Sequence, residues 1–143
     1  MLKRITDSVR DSLDEDQILQ TAVTELALGL NVDACDAALY DLEQQISTVA
    51  YEHLCPNLSP AKGACFPMQS YQEIFDQLLR EQCIQFCRIV PDLLRSTSET
   101  YAILACPMVG DQGVIGDLWL FKAQSRAFTH SEIRLVQQVA NQC

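Results

Sequence analysis

The chain has 143 residues, of which 48% are apolar and 20% charged, and its formal net charge is −9. This length predicts one domain, large enough to bury about 68–70% of its unfolded surface without disulfide support. Nineteen acidic residues against ten basic ones leave no cluster of Lys and Arg to neutralise phosphates, so we expect no nucleic-acid partner. No signal peptide opens the chain and no apolar run approaches ~18 residues, so we expect a cytoplasmic protein without direct membrane contact.

The cysteine content is high, and the number is odd. An odd count without a secretion signal does not favour a disulfide framework, and free cysteines in a reducing compartment are mostly small buried apolar residues. The seven positions are Cys35, Cys55, Cys65, Cys83, Cys87, Cys106 and Cys143.

The first third of the chain predicts two helices and a hairpin. Residues 2–13 carry a narrow apolar stripe, typical of a helix that packs against a single partner. Residues 14–30 open on an N-cap and have a broad apolar face. Strands are predicted at 33–41 and 46–54. Alternation in the second strand puts four residues on one face: Ser47, Val49, Tyr51 and His53.

The middle of the chain reads as loop, short edge strand, helix and strand. Residues 55–68 contain Pro, Asn, Ser and Gly and predict a loop that ends in an edge strand near 64–66. Residues 71–81 are amphipathic at helical spacing, and residues 83–90 alternate as a short strand does. The stretch 91–100 is polar and turn-prone.

The last third predicts two strands around a turn at 110–113, followed by a capped helix. Residues 118–121 have no polar face, which favours a central strand covered on both sides. Gly116 within this strand indicates a bulge or a close backbone approach. Thr129 and Glu132 have the spacing of a capping box.

The apolar pattern of the last helix is still running at Cys143, which predicts that residues 1–143 are a single domain taken from a longer protein. The apolar seams of the two end helices suit a homodimer formed through these helices. The alternative is that both seams pack on the protein's own sheet. The order of elements predicts an α+β fold with α/β/α layers, in which the terminal helices pack on one face of an antiparallel sheet of five to six strands.

This succession resembles a GAF domain, the small-molecule and photosensory module of many signalling proteins. The segments that carry the resemblance are Asp14–Leu30, Ala102–Phe121 and Phe128–Gln142. Segments 103–107, 116–121 and 134–142 are similar to those of GAF modules in cyanobacterial hybrid histidine kinases. The resemblance implies a non-catalytic input domain of a two-component protein, either a sensor histidine kinase or a response regulator, which binds a small ligand, dimerises, or does both.

A bilin photosensor is the sharpest alternative. GAF domains of that type attach the tetrapyrrole through a Cys that is usually followed by His, shortly before the strand that begins here at Tyr101. Neither residue occurs in 91–100, and Gly63-Ala-Cys65-Phe66 lacks the Asp of the second thiol motif. We therefore expect no covalent bilin, and the cofactor stays unknown.

A second alternative is a thiol enzyme. The gap between Cys55 and Cys65 is similar to that in GAF-fold free-methionine sulfoxide reductases, with Cys83 or Cys87 as a third thiol, but the flanking residues match poorly. Cys83-x3-Cys87 is not the tight pair of a zinc or cluster site. Two isolated His residues and the lack of a phosphate-binding Gly loop disfavour a hydrolase. We predict no catalytic residue and no metal.

A ligand pocket is predicted between the sheet and residues 55–90. Aromatic side chains that combine an apolar body with polar groups are the best candidates for its lining. The residues expected to bind a ligand are Tyr51, Cys65, Phe66, Tyr71, Phe86 and Tyr101.

Overall fold

A computed structural model describes residues 15–55, 60–89, 100–123 and 127–142; the apolar stripe at 2–13 lies outside them. The described part of the chain forms three α-helices, six strands and a short 3₁₀ helix. In chain order these are α1 (Glu15–Leu30), β1 (Ala34–Asp41), β2 (Ile46–Leu54), β3 (Cys65–Pro67), the 3₁₀ helix (Met68–Tyr71), α2 (Gln72–Leu79), β4 (Ile84–Ile89), β5 (Thr100–Gly110), β6 (Gly113–Ala123) and α3 (His130–Gln142).

The six strands form one sheet in the order β3-β2-β1-β6-β5-β4, and every neighbouring pair is antiparallel. Helices α1 and α3 pack on one face, and α2 packs on the other. The predicted α+β class and layering are therefore confirmed. Each predicted element within the described residues is present, with boundaries that differ by at most a few residues.

The sheet has a hydrophobic core on each face, because successive side chains of a strand point to opposite sides. The helix-side core, under α1 and α3, includes Leu26, Cys35, Leu104, Cys106, Leu118, Leu120, Val136 and Val139. The cleft-side core, under α2, includes Ala34, Phe75, Leu78, Tyr101, Ile103, Trp119 and Phe121. Strand β6 supplies both cores from adjacent residues, as its unbroken apolar run predicts.

Gly116 shows both features that the sequence predicted as alternatives, a β-bulge and a close backbone approach. Its Cα pairs with Met108, whereas Val109 pairs with Val114, so Ile115 is the extra residue of a β-bulge. A Cβ atom at Gly116 would lie 2.1 Å from the carbonyl oxygen of Ala38 in the neighbouring strand. Only glycine fits at this crossing of β1 and β6.

The end of α1 and the start of α3 are specified by local hydrogen bonds. Asn31 adopts a left-handed φ of 53° after α1, and the N–H of Val32 donates to the carbonyl of Ala27 at 3.1 Å. At the start of α3 the predicted capping box is confirmed. The N–H of Thr129 donates to Glu132 Oε1 at 2.8 Å, and the N–H of Glu132 donates to Thr129 Oγ1 at 3.1 Å.

The apolar residues of α3 pack on the protein's own sheet. Leu135, Val136, Val139 and Ala140 are buried in the helix-side core, and Ile133 packs partly against it. These side chains therefore contact the sheet of the same chain, and the homodimer through the terminal helices stays a prediction. Lys122 of β6 fixes the start of the helix through an ion pair to Glu132 at 2.7 Å. Among the described helices none combines the length and apolar character needed to cross a membrane.

Gly116→Ala tests the close approach of β1 and β6. The added methyl would meet a backbone oxygen that cannot move without breaking the sheet, so we expect the free energy of unfolding in urea to fall by about 3 kcal/mol. Ile115→Ala, at the exposed bulge residue beside it, should change it by no more than about 0.5 kcal/mol. Equal stabilities of the two variants would contradict this account of the crossing.

Candidate functional site

A narrow cleft lies on the α2 side of the sheet. Its floor comes from β1, β2 and β6, and its roof comes from β3, the 3₁₀ helix and α2. The lining residues are Asp36, Ala38, Ser47, Val49, Phe66, Tyr71, Phe75 and Trp119. The free volume among them is about 20 Å³, which is room for about one water molecule.

Small residues on the floor and aromatic residues on the roof create this cleft. Ala38 and Val49 are opposite each other in β1 and β2, and neither fills the space above the sheet. The rings of Phe66 and Tyr71 meet edge to face with centroids 6.1 Å apart and close the cleft from above. The roof is therefore made by side chains from edge strand β3 and from the two helical segments that follow it.

An aromatic wall continues from the cleft across the sheet. Phe86 packs edge to face on Trp119 at 5.9 Å, and Tyr101 packs on Phe121 at 6.4 Å. Trp119 also lines the cleft, so Phe86 and Tyr101 lie behind it rather than in it. This wall gives the cleft a rigid apolar side.

Two carboxyl groups are buried on this face, and the sequence reasoning missed both. Asp36 is 1% exposed and Asp117 is 0% exposed. Asp117 lies opposite Ala38 in the β1–β6 pairing, at the border of the cleft. The hydroxyl of Tyr40 donates to Asp117 Oδ2 at 2.5 Å, and Asp117 Oδ1 has no partner among the described residues. Each Asp interrupts an apolar strand, which is the signal that could have identified them.

Burial raises the pKa values of Asp117 and Tyr40. Removal from water raises the pKa of Asp117 to about 7, although hydrogen bonds from Tyr40 and Trp119 oppose that rise. The pKa of Tyr40 is raised far above its ordinary value by burial and by the nearby Asp117 carboxylate. The carboxyl group can thus be neutral or charged near neutral pH, while the phenol keeps its proton.

The structure brings only part of the predicted ligand-binding set together. Phe66 and Tyr71 line the cleft, and Phe86 and Tyr101 stand on the same face behind its wall. Tyr51 packs against the helix-side core, because a bulge at Ala50 shifts the alternation of β2 between Val49 and Tyr51. Cys65 is exposed in edge strand β3, where its Sγ lies 3.5 Å from Thr48 Oγ1.

Two of the thiols considered for catalysis, those of Cys55 and Cys83, lie far apart in the packing. Cys55 packs against the cleft-side core, whereas Cys83 packs against the helix-side core on the other face of the sheet. Over the described ranges, no group of three or more His, Cys, Asp or Glu side chains is placed to hold a metal ion. The described residues thus form a narrow, mostly aromatic cleft with buried acidic groups on the same face of the sheet.

Asp117→Asn tests the buried carboxyl through the pH dependence of stability. The pKa of Asp117 is 3.8 in the unfolded chain and about 7 in the fold. The stability that the neutral carboxyl contributes is therefore fully present below about pH 4 and is lost as the pH rises through 7. Asp117→Asn removes this loss. The free energy of unfolding of the variant, relative to that of the parent protein, should therefore rise by about 2–3 kcal/mol from pH 5 to pH 8 in urea unfolding. Asp111→Asn, in the exposed turn after β5, should gain no more than about 0.5 kcal/mol. A gain that is the same for both variants would contradict the burial argument.

Comparisons with known proteins agree with this geometry. The GAF domain of an Acinetobacter phosphoenolpyruvate-protein phosphotransferase is 20% identical and superimposes with a TM-score of 0.79, covering 99% of this chain and 86% of that one. The corresponding domain from Coxiella burnetii is 18% identical, with a TM-score of 0.78 and coverage of 98% and 86%. A phycoerythrobilin-bound GAF domain from a cyanobacterial phytochrome is 16% identical, with a TM-score of 0.76 and coverage of 99% and 89%.

These likenesses establish the fold. No protein among the curated sequences matches the chain significantly. The GAF domain family model matches residues 14–143, which is nearly all of the sequence. Together with the six-stranded sheet and its cleft, this match shows that the chain belongs to the GAF domain family.

Proposed function

We propose that this GAF domain is a non-catalytic sensory and regulatory module of a cytoplasmic two-component signalling protein, and that it binds a small ligand in the cleft. The observation that carries the proposal is the cleft itself, with aromatic roof and walls over two buried carboxyl groups. Charged groups are seldom buried where they serve only packing, and perturbed carboxyl groups beside a cleft are typical of functional sites.

The lining favours a flat, mostly apolar ligand that carries a hydrogen-bond donor. Phe66, Tyr71 and Trp119 offer ring faces and edges. Asp36 and Ser47 are the polar residues of the floor. Asp117 lies opposite the floor residue Ala38 in the strand pairing, and we propose that its Oδ1 accepts the ligand's hydrogen bond once the cleft opens. Carboxylates repel anions in a buried site, so phosphate-bearing and carboxylate-bearing ligands fit poorly.

Ligand entry requires the roof to open. Pockets for small molecules are usually about 300–1,000 Å³, far more than the space present between the closed roof and the sheet. The roof segment 65–79 is attached at an edge, where β3 pairs with β2 over only three residues. The N–H of Met68 and the side chain of Gln69 both bond to Gln45, at 2.9 Å and 2.8 Å. Opening breaks these edge bonds and lifts Phe75 and Leu78 of α2 off the cleft-side core, and it leaves the hydrogen bonds between the central strands intact.

Indole, which is flat and carries one N–H donor, is a suitable probe, and indene is its isostere without the donor. In amide NMR titrations we expect saturable shifts for indole around the cleft. Binding of indene should be weaker by about tenfold, because a buried acceptor is left unpaired. Ala38→Val, which fills the floor, should abolish the effect, whereas Ala50→Val at the β2 bulge should keep it. Non-saturable shifts, or equal binding by both alanine variants, would argue against a ligand site here.

A bilin photosensor is the second candidate, because solved bilin-bound GAF domains share this fold with TM-scores of 0.76 or more. Covalent attachment needs a thiol at the cleft. Of the cysteines whose side chains the structure describes, Cys55 packs against the cleft-side core, Cys35, Cys83 and Cys106 pack on the helix side, and Cys65 is exposed. We therefore propose that the natural ligand is not a covalent bilin.

Co-expression with phycocyanobilin tests this point. The purified chain should show no zinc-induced fluorescence after denaturing electrophoresis, because no described thiol lines the cleft. A fluorescent band that persists through denaturation, and that disappears in Cys55→Ser but not in Cys65→Ser, would establish the photosensor reading instead.

We propose that ligand binding is communicated to a linked output domain through the two ends of the chain. The stripe at 2–13 is the remaining candidate for a homodimer contact, because the seam of α3 is used within the domain. A monomer mass for the 143-residue chain by light scattering at high concentration would remove the dimer from this proposal.

A further inference from the structure

Two cysteines face each other at one edge of the sheet. Ile84 of β4 pairs with Ala105 of β5, and continuing this antiparallel register by one residue places Cys83 opposite Cys106. Directly opposed residues have Cα atoms about 4.5–5.5 Å apart, within the range that a disulfide spans. The two Sγ atoms are 2.6 Å apart, little more than the about 2.05 Å of a disulfide bond.

The two thiols differ in access. Cys106 is 0% exposed in the helix-side core, whereas Cys83 is half-buried. Cys83 also lines an open polar groove of about 380 Å³ between the β4–β5 edge and α3, with Arg134 and Gln137 on the helix side. A small reagent can therefore reach Cys83 from solvent but not Cys106.

The surroundings also shift the pKa values of the two thiols in opposite directions. A hydrogen bond with Cys106 lowers the pKa of Cys83, and a further bond with Gln137 adds to this effect against partial burial. The bond with Cys83 and burial raise the pKa of Cys106 far above the ordinary value of a thiol. Of the two thiols, Cys83 is therefore the one that loses its proton first, and it is also the one that solvent reaches.

We propose that Cys83 and Cys106 are an oxidative modification site, at which hydrogen peroxide converts the pair into a reversible disulfide. The Cys83 thiolate attacks one peroxide oxygen, the O–O bond breaks, and Cys83 becomes a sulfenic acid while hydroxide leaves and is protonated to water. Cys106 then gives up its proton, and its sulfur attacks the Cys83 sulfur. The S–O bond breaks and a second water leaves. Two thiols are oxidised by two electrons and one peroxide is reduced to two waters.

This site is independent of the ligand cleft, because it lies on the opposite face of the sheet. The new bond would tie the start of β4 to β5 next to Gln137 of α3. It would also enclose residues 84–105 in a covalent loop. An oxidant signal would therefore act on the helix side while the cleft stays free for its own ligand.

The test uses the whole chain, reduced and then treated with hydrogen peroxide. Free thiols are alkylated after unfolding, and the protein is digested without reduction for mass spectrometry. We expect one linked peptide that joins Cys83 to Cys106, lighter by about 2 Da than the two thiol peptides and separated again by dithiothreitol. The link should survive in Cys65→Ser, which removes the exposed thiol of β3, and should be lost in Cys83→Ser.

Cys106→Ala supplies a second readout, provided that circular dichroism confirms its fold. Without a resolving partner, Cys83 should accumulate as sulfenic acid that reacts with dimedone, and the folded Cys83→Ser variant should give no such adduct at Cys106. The proposal is overturned if peroxide leaves Cys106 fully alkylatable in the parent protein. It is equally overturned if Cys83 links to a different cysteine.

Discussion

One constraint organises the described part of the molecule: its sheet is buried on both faces, so its central strands must supply two cores at once. Strands β1, β5 and β6 send alternate residues to the helix-side core and to the cleft-side core. A slip of one residue would exchange the two sets. Two bulges, at Ala50 and at Ile115, set where this alternation changes, and Gly116 allows β6 to approach β1 at the second of them.

The two faces have different chemistry as a result. The helix side is densely packed with aliphatic residues and holds the opposed thiols of Cys83 and Cys106. The cleft side combines small floor residues, aromatic rings and two buried carboxyl groups. Burying a carboxyl without full hydrogen bonding costs stability, and Asp117 limits that cost by shifting its pKa toward neutrality. A face that keeps such a group in place of an apolar residue is better suited to binding than to packing alone.

Much of the fold could be predicted because its signals are local. Period-two alternation, helical spacing, the capping box at Thr129 and Glu132 and the glycine at 116 each depend on neighbours in sequence. The site could be predicted only in part, because it depends on which strands pair. Phe66 and Tyr71 come from the segment expected to cover the sheet. Tyr51 was predicted to line the pocket because it is aromatic, but the bulge at Ala50 shifts the alternation of β2 and Tyr51 packs against the helix-side core.

The buried positions of Asp36 and Asp117 also depend on strand pairing, so the sequence alone did not reveal them. Each stands out in sequence only as a charge within an apolar strand, and the pairing of β1 with β6 brings both to the centre of the sheet, where they are buried. The opposed cysteines likewise need the register of β4 and β5, since 22 residues separate them in sequence. Long-range register, rather than composition or spacing, therefore decides the chemistry of both faces.

The central claim is that the roof of the cleft, residues 65–79, opens while the sheet beneath it stays folded. Amide hydrogen exchange measures this directly, because local opening and global unfolding give different exchange rates for different segments. The account predicts that amides of β3 and α2 exchange at least about tenfold faster than those of β1, β5 and β6, and that a bound cleft ligand slows the former selectively. Exchange of 65–79 at the same rate as the central strands, with or without ligand, would contradict it.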